Sequence, residues 1–183
     1  YRVLNSFERE MQRRSATQNE ITSTFIGQVI FVTLMLVLFT MYLALFRRDY
    51  FNKPRAIAML YTLMTLFPVI VSLMMRHNYM SVYIVPFAMA PIFVRVFMDS
   101  RTAFITHVTM ILICTIAVKY QYEFIIIQIV AGLIAIYSLR ELTRRAQVFK
   151  TGILVALGCA LVYFALQLVQ DSEFTLMDPD MYY

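Results

Sequence analysis

Residues 138–150 read Ser-Leu-Arg-Glu-Leu-Thr-Arg-Arg-Ala-Gln-Val-Phe-Lys, the one strongly charged stretch in the second half of a chain that is otherwise almost continuously apolar. Arg140, Arg144, Arg145 and Lys150 stand there against the single acid Glu141. An apolar run long enough to cross a bilayer lies on each side, and short loops rich in Lys and Arg remain cytoplasmic during insertion. The stretch is therefore read as a cytoplasmic loop, and the other segments are counted outward from it.

Composition supports reading the runs as membrane spans. Of 183 residues 61% are hydrophobic, and the mean hydropathy is +0.69. That is more apolar surface than a soluble domain of this size can hide in a core. The 16 Lys and Arg against 11 Asp and Glu give a net charge of +5. The positive residues lie in short loops between apolar runs, which marks topology, and no nucleic-acid recognition motif accompanies them. Nucleic acid is thus not an expected partner; the lipid bilayer is. Cys114 and Cys159 fall inside apolar runs, where thiols are ordinary packing residues and imply no disulfide framework.

Residues 1–22 are polar, free of Gly and Pro, and carry Leu4, Phe7 and Met11 at helical spacing among mixed charges. They predict a helical stalk leading into the membrane. Six apolar runs follow, at 25–46, 56–75, 82–98, 102–118, 124–139 and 152–169. The first has 22 residues, about 33 Å of helix against a hydrocarbon core of about 30 Å. The later ones approach the short limit for a span. The expected fold is an all-α membrane protein: a polytopic bundle of six transmembrane helices over residues 23–170, preceded by the extracytoplasmic stalk at 1–22. An acidic extracytoplasmic loop at 171–183 is expected to lead to a further helix. The chain begins at Tyr1 and stops at Met181-Tyr182-Tyr183 directly after that loop, and is expected to be a piece of something longer.

Alternating the sides places Arg47, Arg48, Lys53, Arg55, Arg101, Arg140, Arg144, Arg145 and Lys150 in cytoplasmic loops. The outer loops hold only Arg76 and Lys119, and the outer tail has Asp171, Glu173, Asp178 and Asp180 with no Lys or Arg. This asymmetry follows the positive-inside rule. Tyrosines gather at the expected boundaries, where they can form an aromatic belt in a chain without Trp. Gly152, Ala156 and Ala160 recur every fourth residue, and Gln128, Gly132 and Ala135 share a face of the preceding run; both read as surfaces for close helix packing.

Catalytic chemistry is not visible in these residues. The two histidines, His77 and His107, are thirty positions apart, and neither has a metal-ligand partner three or four residues on. No His-Asp dipeptide, phosphate-binding glycine loop or nucleophile elbow occurs. The chain itself is expected to have no catalytic residue, cofactor or metal. Interest moves to polar or helix-breaking groups at membrane depth, which are costly and often functional. Arg95 reads either as a snorkelling side chain or as a ligand group, and His107, on the next run, either shares a polar pocket with it or packs as a hydrogen-bonded histidine. Gln128 reads as interhelical glue or a binding group. Pro86 and Pro91, in Val-Pro-Phe-Ala-Met-Ala-Pro, each remove a backbone donor and are expected to bend or break the third helix. The carbonyls they free either line a cavity or are satisfied by neighbours.

Two stretches carry a family resemblance. Residues 83–104, Tyr-Ile-Val-Pro-Phe-Ala-Met-Ala-Pro-Ile-Phe-Val-Arg-Val-Phe-Met-Asp-Ser-Arg-Thr-Ala-Phe, are similar to the proline-containing helix and following turn of the bacterial 7TM-HD proteins. Residues 132–156 resemble the basic cytoplasmic loop of that family and its flanking helices, and the likeness extends over most of 25–170. Characterised members include cyclic di-AMP phosphodiesterases. The resemblance implies one helix, an extracytoplasmic domain, six more helices and a cytoplasmic His-Asp phosphohydrolase domain holding divalent metals. No catalytic residue can be carried over, because the His-Asp domain lies outside this chain, and a cyclic dinucleotide would be met only through it. The implied role is a sensory or anchoring module in the bacterial cytoplasmic membrane, with Arg140, Arg144, Arg145 and Lys150 as a coupling loop and a homo-oligomer or other membrane proteins as partners. A substrate-binding subunit of a membrane transporter and a cell-shape scaffold are the alternatives from other classes.

The topology has a direct test. In a variant without Cys114 and Cys159, Ser172→Cys should react with a membrane-impermeant thiol reagent on intact cells while Ala146→Cys should not. Labelling at position 146 alone would reverse the arrangement.

Overall fold

The computed structural model describes the backbone of residues 2–77, 82–138 and 146–177, and the side chains of 20–50, 52–76, 82–138 and 149–169. Arg140, Arg144 and Arg145 lie outside the described residues, as do 178–183. All regular structure among the described residues is helical. The first helix, α1 (Arg2–Phe46), is continuous for 45 residues, because no proline and only Gly27 interrupt the passage from the polar segment into the first apolar run. The chain breaks at Arg47 and makes a single turn, α2 (Arg48–Phe51), before α3 (Pro54–His77). Pro54 occupies the first position of α3, where its missing N–H costs no helical bond.

Next come a 3₁₀ turn (Val82–Ile84), α4 (Met89–Phe97), α5 (Ser100–Thr115), α6 (Gln121–Ser138) and α7 (Ala146–Met177). Among the described residues four segments are long and apolar enough to cross a membrane: Glu20–Phe46, Pro54–Arg76, Gln121–Ser138 and Phe149–Val169. The remaining two, Val82–Phe97 and Ser100–Thr115, are shorter. The third run is shortened by Pro86, which separates the 3₁₀ turn from α4. Pro91 adds no second break, since it is the third residue of α4 and its absent donor belongs to the unpaired first turn in any case. The carbonyls that the prolines cannot serve are taken locally: Val82 O accepts from Val85 N at 3.1 Å, and Phe87 O from Ala90 N at 3.1 Å. The helical backbone of α7 runs on through 171–177, where a loop is expected from the charges; no Gly or Pro occurs between Cys159 and Pro179 to stop it.

α5 is the axis of the packing, meeting α1, α3, α4 and α6. Its 16 residues make about 24 Å of helix, and it packs beside α1. Its leading residue Asp99 pairs with Arg47 at the end of α1, and Ile116 and Ala117 beyond its far end share a cleft with Gln28 and Val29 of α1. One apolar cluster fills the half of the bundle near Phe67, Phe87, Ile111 and Phe124; a second, around Phe39, Leu43, Leu60 and Ala103, fills the half nearer Arg47. Residues such as Phe25, Ile30 and Leu34 of α1 and Leu161 and Phe164 of α7 are exposed, as expected of surfaces whose solvent is lipid. α7 packs chiefly on α6 and lies at the margin.

Two elements meet at the Asp99 carboxylate. It caps α5 by accepting from Arg101 N at 3.2 Å and from the Thr102 hydroxyl at 2.6 Å, and it also takes the Arg47 guanidinium. Both partners of the ion pair are about a quarter exposed, 26% and 27%, so solvent screening leaves the pair about 1 kcal/mol, comparable with about 1 kcal/mol for the cap. Asp99→Ala should therefore cost about 2 kcal/mol of stability to unfolding in detergent micelles. Asp99→Asn, which can still cap, should cost about half as much, and Arg47→Ala should add little to Asp99→Ala.

Candidate functional site

Polar groups enter the interior of the bundle mainly along α5. Thr106, Thr109 and Thr115 are buried, and each hydroxyl donates to a carbonyl one turn back on its own helix: Thr102 O at 2.7 Å, Ile105 O at 2.8 Å and Ile111 O at 2.8 Å. They satisfy themselves and ask nothing of a neighbour. His107 cannot do so. It is fully buried, and its Nε2 donates to the backbone carbonyl of Gln128 on α6 at 2.9 Å, while Nδ1 has no partner. The carbonyl accepts, so the proton sits on Nε2 and Nδ1 is bare.

Gly132 makes this contact possible. A Cβ there would fall inside the His107 imidazole; without one, the ring lies over the helix and reaches the carbonyl one turn earlier. Gln128, Gly132 and Ala135 are all buried against the bundle, as their common face predicts. The result is a polar seam between α5 and α6 in which a helix carbonyl, with its second lone pair, serves a side chain from the next helix.

Arg95 goes elsewhere. It lines a cavity of about 320 Å³ with Ser100, Arg101 and Phe104 of α5 and Leu133, Ile136 and Tyr137 of α6. Its Nε is buried without a hydrogen-bond partner. His107 is not among the residues lining that cavity; its ring bonds to the Gln128 carbonyl instead. Pro86 and Pro91 lie in and beside the turn that starts α4 and free no carbonyl toward a cavity.

The end of the bundle that holds Arg95 collects further charge. Arg47 reaches Asp99, and its guanidinium is held above its ordinary range chiefly by the Tyr42 hydroxyl, opposed next by burial, with the Asp99 charge adding a smaller raise. Lys53 and Arg55 line a cleft with Phe97 and Met98. At the same end Ser138 closes α6 and its hydroxyl meets that of the fully buried Thr151 of α7 at 2.8 Å. This pair joins the two helices on either side of the basic stretch; Lys150, beside Thr151, is exposed. At the opposite end a cleft of about 720 Å³ lies between α1, α3 and α5, with Gln28, Thr33, Ser72 and Arg76 among apolar walls.

α6 and α7 are held together by a face other than the Gly152, Ala156 and Ala160 repeat, for which the sequence named no partner helix. Thr151 and Gly158 point to α6, and a Cβ at Gly158 would run into Ile134. The repeat of Gly152, Ala156 and Ala160 is exposed, and nothing lies within 4 Å of a Cβ built at Gly152. The Gly158 side was not singled out in the sequence; the hydroxyl pair Ser138–Thr151 lies on it.

Sequence reasoning passed over Ser100, Thr102 and the pairing of Arg47 with Asp99. The available signal was Asp99-Ser100-Arg101-Thr102 directly after an apolar run, a helix start with its cap. Among the described residues no group of three or more His, Cys, Asp or Glu is gathered as a metal site.

Residues 22–182 match the family described as 7TM receptor with intracellular HD hydrolase. No curated protein and no solved structure matches the chain.

The His107 seam predicts opposite behaviour for two glycines. Gly132→Ala should lower stability in detergent by about 1–3 kcal/mol through overpacking, whereas Gly152→Ala should be neutral or stabilise by up to about 1 kcal/mol from helix propensity alone. Combining Gly132→Ala with His107→Ala should cost less than the sum of the two, because the ring with which the methyl collides is gone; strict additivity would refute the contact.

Proposed function

Because the chain belongs to the 7TM receptors with an intracellular HD hydrolase, we propose that it is the membrane sensory and anchoring module of a bacterial inner-membrane phosphohydrolase whose catalytic domain lies outside these residues. The observation that carries this reading is the family match across nearly the whole helical bundle, over residues 22–182. In this proposal the bundle crosses the membrane six times. Support comes from α5, which despite its length accompanies α1 from the level of Arg47 to that of Gln28. The segments read as cytoplasmic also gather at one end: Arg47 on Asp99, Lys53 and Arg55 beside Met98, and Arg101 beside Tyr137.

Six crossings from an outside stalk return the chain to the outside, so a seventh helix must precede a cytoplasmic domain. That domain would hold divalent metals on its own His and Asp residues and activate water for phosphodiester hydrolysis; cyclic di-AMP is the substrate we propose. Signals would pass through α6 and α7, which flank Arg140, Arg144, Arg145 and Lys150 and are joined by Ser138 and Thr151.

The full-length protein, purified with its membrane domain, should convert cyclic di-AMP to the linear dinucleotide when divalent metal is supplied, and residues 1–183 alone should not. Arg144→Lys with Arg145→Lys keeps the charge but removes the guanidinium fork, and should alter the response of that activity to stimulus. A parent gene ending soon after Tyr183 would overturn the tethered-hydrolase reading in favour of a transporter subunit.

A further inference from the structure

We propose that the cavity between the C-terminal ends of α4 and α6 and the start of α5 binds a phosphate group through Arg95 and Arg101, supplied by the headgroup of an anionic lipid. Two guanidinium side chains line this one cavity. The nearest acid in sequence, Asp99, is already engaged by Arg47, Thr102 and the backbone N–H of Arg101, so it is not the counterion of either arginine. The α5 start is likewise capped by that carboxylate and is not a vacant anion site.

Arg95 brings its charge to the wall of an apolar bundle with its Nε buried and unpartnered. A guanidinium cannot shed its proton to escape that situation, and a second positive charge in the same cavity raises the need for an anion. A phosphate offers several acceptor oxygens, and guanidinium forks match its geometry. Ser100 and Tyr137 add hydroxyls to the lining.

The other walls choose the source of the phosphate. Phe104, Leu133 and Ile136 make the rest of the lining apolar, a surface that a soluble phosphate leaves uncovered and that the glycerol and upper acyl chain of a lipid can cover. The cavity also lies at the end of the bundle where Arg47, Lys53 and Arg55 gather, the level at which headgroups are found if that end meets the inner leaflet.

The test uses the full-length protein in phosphatidylcholine nanodiscs, with phosphatidylglycerol titrated in and retained lipid counted by native mass spectrometry. Wild type should bind phosphatidylglycerol saturably. Arg101→Gln, at an exposed position, should weaken binding about fivefold, and Arg95→Gln combined with it about a further fivefold; Lys53→Gln, outside the cavity, should leave it within twofold. Inorganic phosphate added to discs already carrying bound phosphatidylglycerol distinguishes the sources: no competition supports the lipid, whereas displacement of the lipid at millimolar phosphate with the same dependence on Arg101 assigns the site to a free anion and overturns the lipid. Equal phosphatidylglycerol binding by wild type and Arg101→Gln overturns the site altogether.

Discussion

A helix buried on all sides within a membrane bundle must dispose of every polar group without water, and α5 is built around that constraint. Unsatisfied donors and acceptors in such surroundings are expensive. Its threonines resolve the problem by bonding back to their own helix, which leaves smooth faces for α1, α3, α4 and α6. His107 resolves it across the interface, and the cost is a strict requirement at one position of α6, Gly132. The polar content of α5 thereby fixes the depth and rotation of its neighbour, something the apolar contacts around Ile111 and Phe124 do not specify so sharply, since dispersion has no direction.

The ends of α5 make different demands. At one, Asp99 is shared between capping the helix and holding Arg47, so the exit of α1 and the entry of α5 move together. At the other, α1, α3 and α5 leave a cleft with polar residues at intervals along it. α7 rides on α6 rather than on the central helix, so a displacement of α6 would reach α7 through Ser138, Thr151 and the close passage at Gly158.

Much of the architecture was legible in the residues. Long apolar runs and the basic loops between them indicate a helical membrane protein because hydrocarbon tolerates only self-satisfied backbone. The break at Pro86 and the shared burial of Gln128, Gly132 and Ala135 follow from local rules, proline's missing donor and helical periodicity. The match over residues 22–182 supports the family read from the proline-containing segment and the basic stretch.

What only the tertiary structure decided has a common physical origin. The acceptor for His107 is a backbone carbonyl, and a carbonyl has no residue identity to be read; only the absence of a side chain at Gly132 hints at it. Arg47 and Asp99 are far apart in the chain, and each also had other solutions open to it, so their meeting depends on how α1 and α5 align. The same holds for α7, whose rotation against α6 shows only where Thr151 meets Ser138. The sequence by itself determined that the apolar runs are helical and belong in a membrane, because those properties depend on each segment's own composition; it did not determine where α7 ends. Pairing, rotation and the company kept by Arg95 were settled only in the fold, because they depend on which surfaces the other helices leave free.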